Sequence, residues 1–249
     1  MKTKQTIKRI IPALLLSLAV GVAVSACGEQ SSTTASRSMI IVFATGDVQI
    51  VREGKETPAK VGMVVAENDL IKTTQGTADM QTRNGSAVRI REFTTVTISS
   101  HYGEGNTDTR LSMKHGGLLA NVKRKSSNEN FTVVTPTAIA GVRGTTFSVE
   151  SNEGEPTSVK VIDGKVAMAP RIEALEKATA AEIQSDANLQ KLQDLQAKQE
   201  VVVEDGRAAS IDAETSASIA ALNTASELDD AQVSELAEKE EGEIVAVAD

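Results

Sequence analysis

The stretch FTVVTPTAIAGVRGTTFSV, residues 131–149, decides the fold class of the chain. Apolar and polar side chains alternate at its two ends: Phe131 and Val133 lie before the central segment, and Phe147 and Val149 lie after it. Side chains two residues apart lie on the same face of a strand, so each end predicts a strand that buries one face.

The central segment of this stretch predicts changes of chain direction. Pro136 has no amide proton to donate to a ladder and belongs at a strand boundary, and Gly141 and Gly144 allow backbone geometry that bulkier residues resist. Arg143 lies between these glycines, where it can bind an anion or fix a turn through a salt bridge or a carbonyl contact. We expect the role in fixing a turn, with Thr145 beginning the next strand.

The same period of two recurs throughout residues 39–170, where nothing has the period of a helix over a useful length. The pattern predicts a mainly β domain: an antiparallel sandwich, a jelly roll or a short β-solenoid. Aromatic residues make up only 2 % of the chain, so its core must be aliphatic. The alternating positions are Val48/Ile50, Ala78/Met80, Val88/Ile90, Val96/Ile98, Leu118/Ala120/Val122, Phe131/Val133, Phe147/Val149, Val159/Val161 and Val166/Met168.

Glycine-containing pairs lie between these strands and predict how they connect. Asn84-Gly85 and Asp163-Gly164 are each typical of a two-residue hairpin. Gly116-Gly117 predicts a tight bend.

The amino terminus has the pattern of an export signal. Residues 2–9 are basic, and residues 10–26 are an uninterrupted run of apolar and small side chains that ends in Val24-Ser25-Ala26-Cys27. The run of 17 residues is marginal for crossing a bilayer. An ordinary secretory signal and an uncleaved signal anchor are the alternatives.

The last four residues of this signal resemble the lipobox of bacterial lipoproteins. The resemblance implies that the thiol of Cys27 receives a diacylglyceryl group, that cleavage follows Ala26, and that the new amino terminus is acylated, with palmitate as a typical chain. Thiols form stable thioethers, and two or three acyl chains anchor a protein stably where one does not.

Composition divides the chain into segments of different character. Residues 171–198 are rich in Ala, Glu, Gln, Lys and Leu at helical spacing, so a helix or helical pair is expected. A coiled coil is one alternative, but Asp186 and Gln193 fall on its candidate seam, which favours packing on the sheet or projection into solvent. The predicted segments are a signal peptide (1–26), the lipidated cysteine with a flexible tether (27–38), the β domain (39–170), a helical insertion (171–198), a closing β segment (199–211) and an acidic helical or partly disordered tail (212–249).

Several motifs, taken in order, resemble the FecR domain family over residues 43–169. Val201–Gly206 is similar to the strand and turn that close such domains. The residues that carry the family motif are Thr135, Pro136, Gly141, Arg143, Gly144 and Thr145. The motifs are Gly46-Asp47-Val48, the stretch 62–74, Asn84-Gly85-Ser86, Gly116-Gly117-Leu118, the block 134–147 and Asp163-Gly164-Lys165-Val166.

The resemblance implies an exported module for protein interaction or signal relay. Members that give the family its name regulate a sigma factor through a cytoplasmic part, but here only nine residues precede the apolar run, so we do not expect that role. The expected partners are the membrane, through lipid on Cys27, and another envelope protein. Self-association as an envelope scaffold, giving a homo-oligomer, and binding of a cell-surface polymer are the alternatives.

No pattern in the sequence predicts an enzyme, a metal site or a cofactor. His101 and His115 lack histidine or cysteine partners at ligand spacing, and no nucleophile elbow or phosphate-binding loop is found. The formal net charge of −8 argues against nucleic acid as a partner. We therefore expect a lipid-anchored protein that faces the periplasm or cell exterior, with Gly28 after Cys27 favouring the outer over the inner membrane.

Overall fold

The computed structural model describes residues 38–99, 108–124, 130–211, 214–215, 217–218 and 244–248. These residues form strands, followed by three short helices and further strands. The strands and helices are β1 (Met39–Arg52), β2 (Lys55–Pro58), β3 (Val64–Val65), β4 (Leu70–Thr82), β5 (Ala87–Ile90), β6 (Thr95–Ser99), β7 (Thr109–Asn121), β8 (Phe131–Val134), β9 (Ala138–Val142), β10 (Thr146–Ser151), β11 (Ser158–Asp163), β12 (Lys165–Pro170), α1 (Glu173–Lys177), α2 (Ala180–Ser185), α3 (Ala187–Lys198), β13 (Val201–Glu204), β14 (Arg207–Ile211) and β15 (Ile244–Ala248).

The prediction of a mainly β, antiparallel fold with added C-terminal helices is confirmed. All described strand pairs are antiparallel except β7 with β8, which run parallel. The alternating apolar positions are buried, apart from Val122, which is partly buried against the core. The core is aliphatic except for Phe131 and Phe147, whose rings meet edge to face with centroids 6.4 Å apart.

Three long strands, β1, β4 and β7, each take part in two halves of one folded sheet. In the first half, Thr109–His115 of β7 pairs with β6 and β8, and the order runs from β13 through β12, β9, β8, β7, β6 and β4 to β1 and β2. In the second half, Gly116–Asn121 of β7 pairs with β5 and β10, and the order runs from β15 through β14, β11, β10, β7, β5 and β4 to β1 and β3. Inward side chains of both halves form a single core, as in a sandwich.

Glycines lie where the long strands pass from one half to the other. Gly46 of β1 pairs with Gly76 of β4, beside a register shift in β1. Gly116 of β7 has φ +104°, and an added Cβ would lie 2.3 Å from Oγ1 of Thr94. The predicted bend at Gly116-Gly117 is therefore confirmed, but it lies inside a continuous strand.

The hairpin predictions need correction. Four residues, not two, separate β4 from β5 around Asn84-Gly85. The prediction of a hairpin at Asp163-Gly164 is wrong, because β11 pairs with β10 and β14 whereas β12 pairs with β9 and β13. Gly164 is the point at which the chain crosses from the second half to the first. Strand β9 was missed as a strand because its buried residues, Ala138, Ala140 and Val142, are small and flank Gly141.

The segment after β12 forms three short helices that end against the first half of the sheet. Asp186 caps α3 by accepting hydrogen bonds from the amides of Asn188 and Leu189. Ile172, Leu192 and Leu195 form a small second core. Strands β13 and β14 then pair with β12 and β11, one in each half. Most of the predicted acidic tail lies outside the described residues.

No helix among the residues that the structure describes is both long enough and apolar enough to cross a membrane.

Candidate functional site

A groove of about 510 Å³ lies on the outer face of the first half of the sheet. Its floor is formed by small side chains, because Thr132, Gly141 and Ala167 lie on the outward positions of β8, β9 and β12. An added Cβ at Gly141 would have no neighbour nearer than 4.0 Å, so this glycine leaves room in the floor. The residues that line the groove are Asp108, Thr109, Arg110, Asn130, Phe131, Thr132, Gly141, Val142, Arg143, Lys165, Ala167 and Val202.

Arg143 lies at the rim of this groove, which we call the Arg143 groove, in the connection from β9 to β10. Its Nε and Nη2 donate to Oδ1 of Asn130 at 3.0 and 2.9 Å. Asn130 is held in turn, because its amide donates to Oδ1 of Asp108 at 3.1 Å. The partner of Arg143 is thus a neutral amide, and among the described residues no carboxylate pairs with the guanidinium. Of the two predicted contacts, a salt bridge or a carbonyl contact, the described residues show the second kind, made to the side-chain carbonyl oxygen of Asn130.

The other two basic residues of the groove do have acidic partners. Nζ of Lys165 lies 2.6 Å from Oε1 of Glu204, and this hydrogen bond lowers the pKa of Glu204. Arg110 contacts Glu176 of α1, which also accepts from Arg171. The helical insertion therefore supplies an acidic group that ties it to β7. The lining has three cations and one carboxylate, and two of these cations are paired with Glu204 and Glu176 outside the lining.

Buried hydroxyl groups fix the turn between β8 and β9. Thr157, which is completely buried, lies with its Oγ1 2.9 Å from that of Thr137, 3.3 Å from that of Thr135 and 3.0 Å from Oγ of Ser151. Thr135 also bonds to the backbone of Ala138 through both its hydroxyl and its amide. This network holds the turn that contains the exposed Pro136. The turn does not form part of the groove floor.

The structure divides the predicted motif residues between two turns and a strand. Thr135 and Pro136 lie in the turn from β8 to β9, and Arg143, Gly144 and Thr145 lie in the connection from β9 to β10. Gly144 has φ +65°, as its predicted conformational role requires, whereas Gly141 lies within β9 and is not in the left-handed region. Thr145 donates to the carbonyl of Lys165 at 2.8 Å and so joins the connection from β9 to β10 to the start of β12.

Four residues of the site were not predicted: Asp108, Arg110, Asn130 and Thr157. Asp108, Asn130 and Thr157 are isolated polar residues that precede strands, Arg110 lies within β7, and no spacing in the sequence links them to Arg143. Cys27 and the cleavage residues Val24, Ser25 and Ala26 lie outside the described residues, as does His101.

No metal-binding cluster occurs among the described residues. His115 is exposed and lies in β7, and its Nε2 is 3.4 Å from the hydroxyl of Thr95. No group of three or more histidine, cysteine or carboxylate side chains comes together within the described ranges.

Comparison with known proteins bears on the middle of the chain. The model of the family described as FecR protein matches residues 69–167. This match confirms the resemblance over that range, which contains all the motif residues from Thr135 to Thr145. No curated protein matches the chain.

Two solved structures are similar to part of the chain. They are crystal structures, at 1.65 and 2.50 Å resolution, of a candidate anti-sigma factor from Parabacteroides distasonis ATCC 8503. Each has 16 % sequence identity and a TM-score of 0.42, and the match covers 58 % of this chain and 55 % of the other. The chain thus spans little more than half the length of these proteins.

Proposed function

We propose that this protein is a lipid-anchored, non-catalytic module of the bacterial cell envelope that binds an extended, acidic segment of another envelope protein in the Arg143 groove. The observation that carries the proposal is the pairing of Arg143 with the neutral Asn130 at the rim of an open groove. No carboxylate within the described ranges pairs with Arg143, so a carboxylate from another molecule can bind its guanidinium without first breaking an ion pair in that part of the chain.

The geometry of the groove favours an extended segment as its occupant. The floor is flat and lined by small side chains at Thr132, Gly141 and Ala167, so a backbone can approach the sheet closely. Strand β13 borders the groove at the end of the strand order, with Val202 exposed to 54 %. A partner segment there has an apolar contact at Val202 and charged contacts at Arg143 and Lys165.

Membrane attachment in this proposal depends on the sequence of the amino terminus. The basic residues 2–9, the apolar run and Val24-Ser25-Ala26-Cys27 support a lipid on Cys27. Gly28 favours the outer membrane. The match to the FecR protein family supports signal relay as the purpose of the contact.

Photocrosslinking in intact cells tests the groove as the binding site. A photoreactive phenylalanine analogue is placed at Val202 in the full-length protein, and at Ile162 as the control. Both side chains are about half exposed, but Ile162 lies on β11 in the other half of the sheet. We expect a specific adduct with one envelope protein from position 202 that is absent from position 162.

Charge substitution then tests the role of Arg143. Arg143→Gln should reduce the adduct about tenfold, because an ionic hydrogen bond contributes about 1.5–3 kcal/mol. Arg143→Lys should restore part of it. The control Arg89→Gln removes an exposed cation that is already paired with Asp79 and should leave the adduct unchanged. An adduct that forms equally from both positions, that ignores Arg143→Gln, or that consists only of a second copy of this chain would refute the proposal.

A further inference from the structure

Large apolar side chains are concentrated at one place on the surface, at the start of β1. Of the eight large apolar side chains exposed among the described residues, five lie there, and the other three, Phe93, Ile162 and Val202, lie elsewhere. The five, which we call the apolar patch, are Ile40, Val42, Phe43, Val61 and Val64, exposed to between 43 and 66 %.

Backbone pairing makes the patch continuous. Ile40 lies opposite Val64 in the ladder of β1 and β3, with Met39 and Val65 facing the core beside them. The segment that carries Val61 is held against β1, because the amide of Gly62 donates to the carbonyl of Ile41 at 2.8 Å.

A local irregularity of β1 enlarges the patch. The register with β4 shifts between Ile41 and Phe43, so one extra residue, Val42, lies at a β-bulge. Val42 and the adjacent Phe43 are both exposed as a result, at 46 % each. Contiguous exposed apolar surface of this kind usually marks an interaction site.

The position of the patch along the chain indicates what covers it. Cys27 precedes Met39 by twelve residues, a span that cannot exceed about 43 Å and averages about 20 Å for a coil. A folded body of about 200 residues has a radius of gyration near 17 Å. A lipid on Cys27 would therefore keep the start of β1 within this reach of the bilayer, and the apolar patch surrounds the start of β1.

Charge around the patch favours a lipid surface. Although the chain is acidic, residues 39–46 contain no charged side chain, and residues 57–66 contain a single one, the exposed Lys60. The carboxylate opposite Phe43, that of Asp79, is paired with Arg89 at 2.7 Å. Apolar side chains flanked by a lysine enter the interface between phospholipid headgroups and acyl chains readily.

We infer that the apolar patch docks on the phospholipid surface and fixes the orientation of the domain on the membrane. This inference rests on the lipid anchor of the proposed function. Docking would leave the Arg143 groove, on the first half of the sheet, available to a partner.

Depth-dependent fluorescence quenching tests the orientation. Cysteine is introduced by Val61→Cys or Val64→Cys in the full-length, lipidated protein, and by Ile162→Cys as the control. Cys27 is the only natural cysteine, and its sulfur is blocked when lipidated, so an environment-sensitive thiol dye labels one position. The proteins are reconstituted into vesicles of phosphatidylethanolamine and phosphatidylglycerol that carry spin-labelled lipids.

The control is matched in exposure and distant in space. Ile162 is exposed to 53 %, between the 49 % of Val64 and the 66 % of Val61. Five strand-to-strand steps separate β11 from β1, about 24 Å along the sheet. We expect quenching at positions 61 and 64 to exceed that at 162 by about twofold or more.

The outcomes separate the docking from the anchor. Protein that floats with the vesicles but shows equal quenching at all three positions overturns the docking and leaves the anchor intact. Protein that does not float refutes the anchor and the docking together. Equal quenching accompanied by concentration-dependent energy transfer between labels at position 61 assigns the patch to a second copy of the chain and overturns the inference.

Discussion

At the scale of single residues, Asp69 is a buried acid whose contacts fix the end of β1. Its carboxylate accepts from Nε and Nη2 of Arg52 at 2.8 and 2.6 Å and from the amide of Ala66 at 2.7 Å. Burial acts to raise the pKa of Asp69, but the hydrogen bonds from Arg52 and Ala66 outweigh it, so the pKa is lowered. These contacts join the end of β1 to the connection between β3 and β4.

The lowered pKa of Asp69 predicts how stability depends on pH. The folded state favours the ionised form, so the contribution of Asp69 is present above its unfolded pKa, about 3.9, and is lost as the pH falls through the folded value. Asp69→Asn should lower the free energy of unfolding by about 1–3 kcal/mol at pH 7, because hydrogen bonds to a buried charged group are lost.

Urea unfolding between pH 7 and pH 3 measures this difference, which should shrink as the pH falls below about 4. The control is Asp79→Asn, which removes the more exposed pair with Arg89 and should cost at most about 1 kcal/mol. Equal losses in the two variants would contradict the special role of Asp69.

Thr157 is the second residue on which local structure depends. Its hydroxyl contacts three other buried hydroxyls, those of Thr135, Thr137 and Ser151. Thr157→Val keeps the size of the side chain but leaves these groups without one partner, and should cost about 1–3 kcal/mol. Thr45→Val, at an exposed position of β1, should change stability by less than about 0.5 kcal/mol. Thermal unfolding of both variants measures the difference, and equal midpoints would show that the network contributes nothing.

At the scale of elements, the long strands β1, β4 and β7 depend on glycines where they pass between the halves. Gly116→Ala puts a Cβ within 2.3 Å of Oγ1 of Thr94 and 2.5 Å of its Cα, at φ +104°. Gly85→Ala is a matched control, because Gly85 has φ +87° but nothing within 4 Å of the added atom. The two variants share backbone strain of about 1 kcal/mol or more, and Gly116→Ala adds a clash of about 1–3 kcal/mol.

Chemical denaturation separates strain from clash in these two variants. Gly116→Ala should unfold at clearly lower denaturant than Gly85→Ala, or fail to fold while Gly85→Ala still folds. If Gly85→Ala proves as damaging as Gly116→Ala, close packing at the bend is not what requires glycine.

The same elements show why sequence reasoning succeeded in part. Strands with large aliphatic residues at alternate positions, such as Val159 and Val161, are recognisable because burial of one face leaves a period of two. Strand β9 was missed because Ala138 and Ala140 give a weak signal. The crossing at Gly164 was taken for a hairpin, since local turn chemistry does not reveal which half of the sheet the next strand joins.

The site was predictable only where its residues are clustered in sequence. The position of Arg143 between two glycines predicted a role for it. Its partner Asn130, however, lies 13 residues away, and no sequence pattern connects the two. The groove floor comes from β8, β9 and β12, and β12 joins the other two only through the crossing at Gly164 and its pairing with β9. Such non-local contacts leave no periodic trace.

At the scale of the whole molecule, the arrangement proposed is a β domain held at a membrane by a lipid on Cys27. The apolar patch follows the anchor segment directly, while the Arg143 groove is built from β7–β9, β12 and β13. Separation of these two surfaces along the chain allows one to contact lipid while the other contacts protein. Loss of the anchor should therefore release the protein from the membrane without unfolding it.

Cys27→Ser tests that separation of anchor and fold. Three acyl chains contribute about 0.8 kcal/mol per buried methylene, far more than the apolar patch can supply, so the variant should leave the membrane pellet for the soluble fraction or accumulate as uncleaved precursor. Its β domain should unfold at the same denaturant concentration as the natural protein, because the fold begins at β1, twelve residues later.

Ser32→Ala, in the predicted tether, is the control and should remain in the pellet. Fractionation of envelopes checks the location of the protein, and intact mass measurement of the mature chain checks the modification of Cys27. An unmodified sulfur at Cys27, or a Cys27→Ser protein that is cleaved and still stays in the pellet, contradicts the anchor, whereas a shifted unfolding midpoint contradicts the independence of fold and anchor.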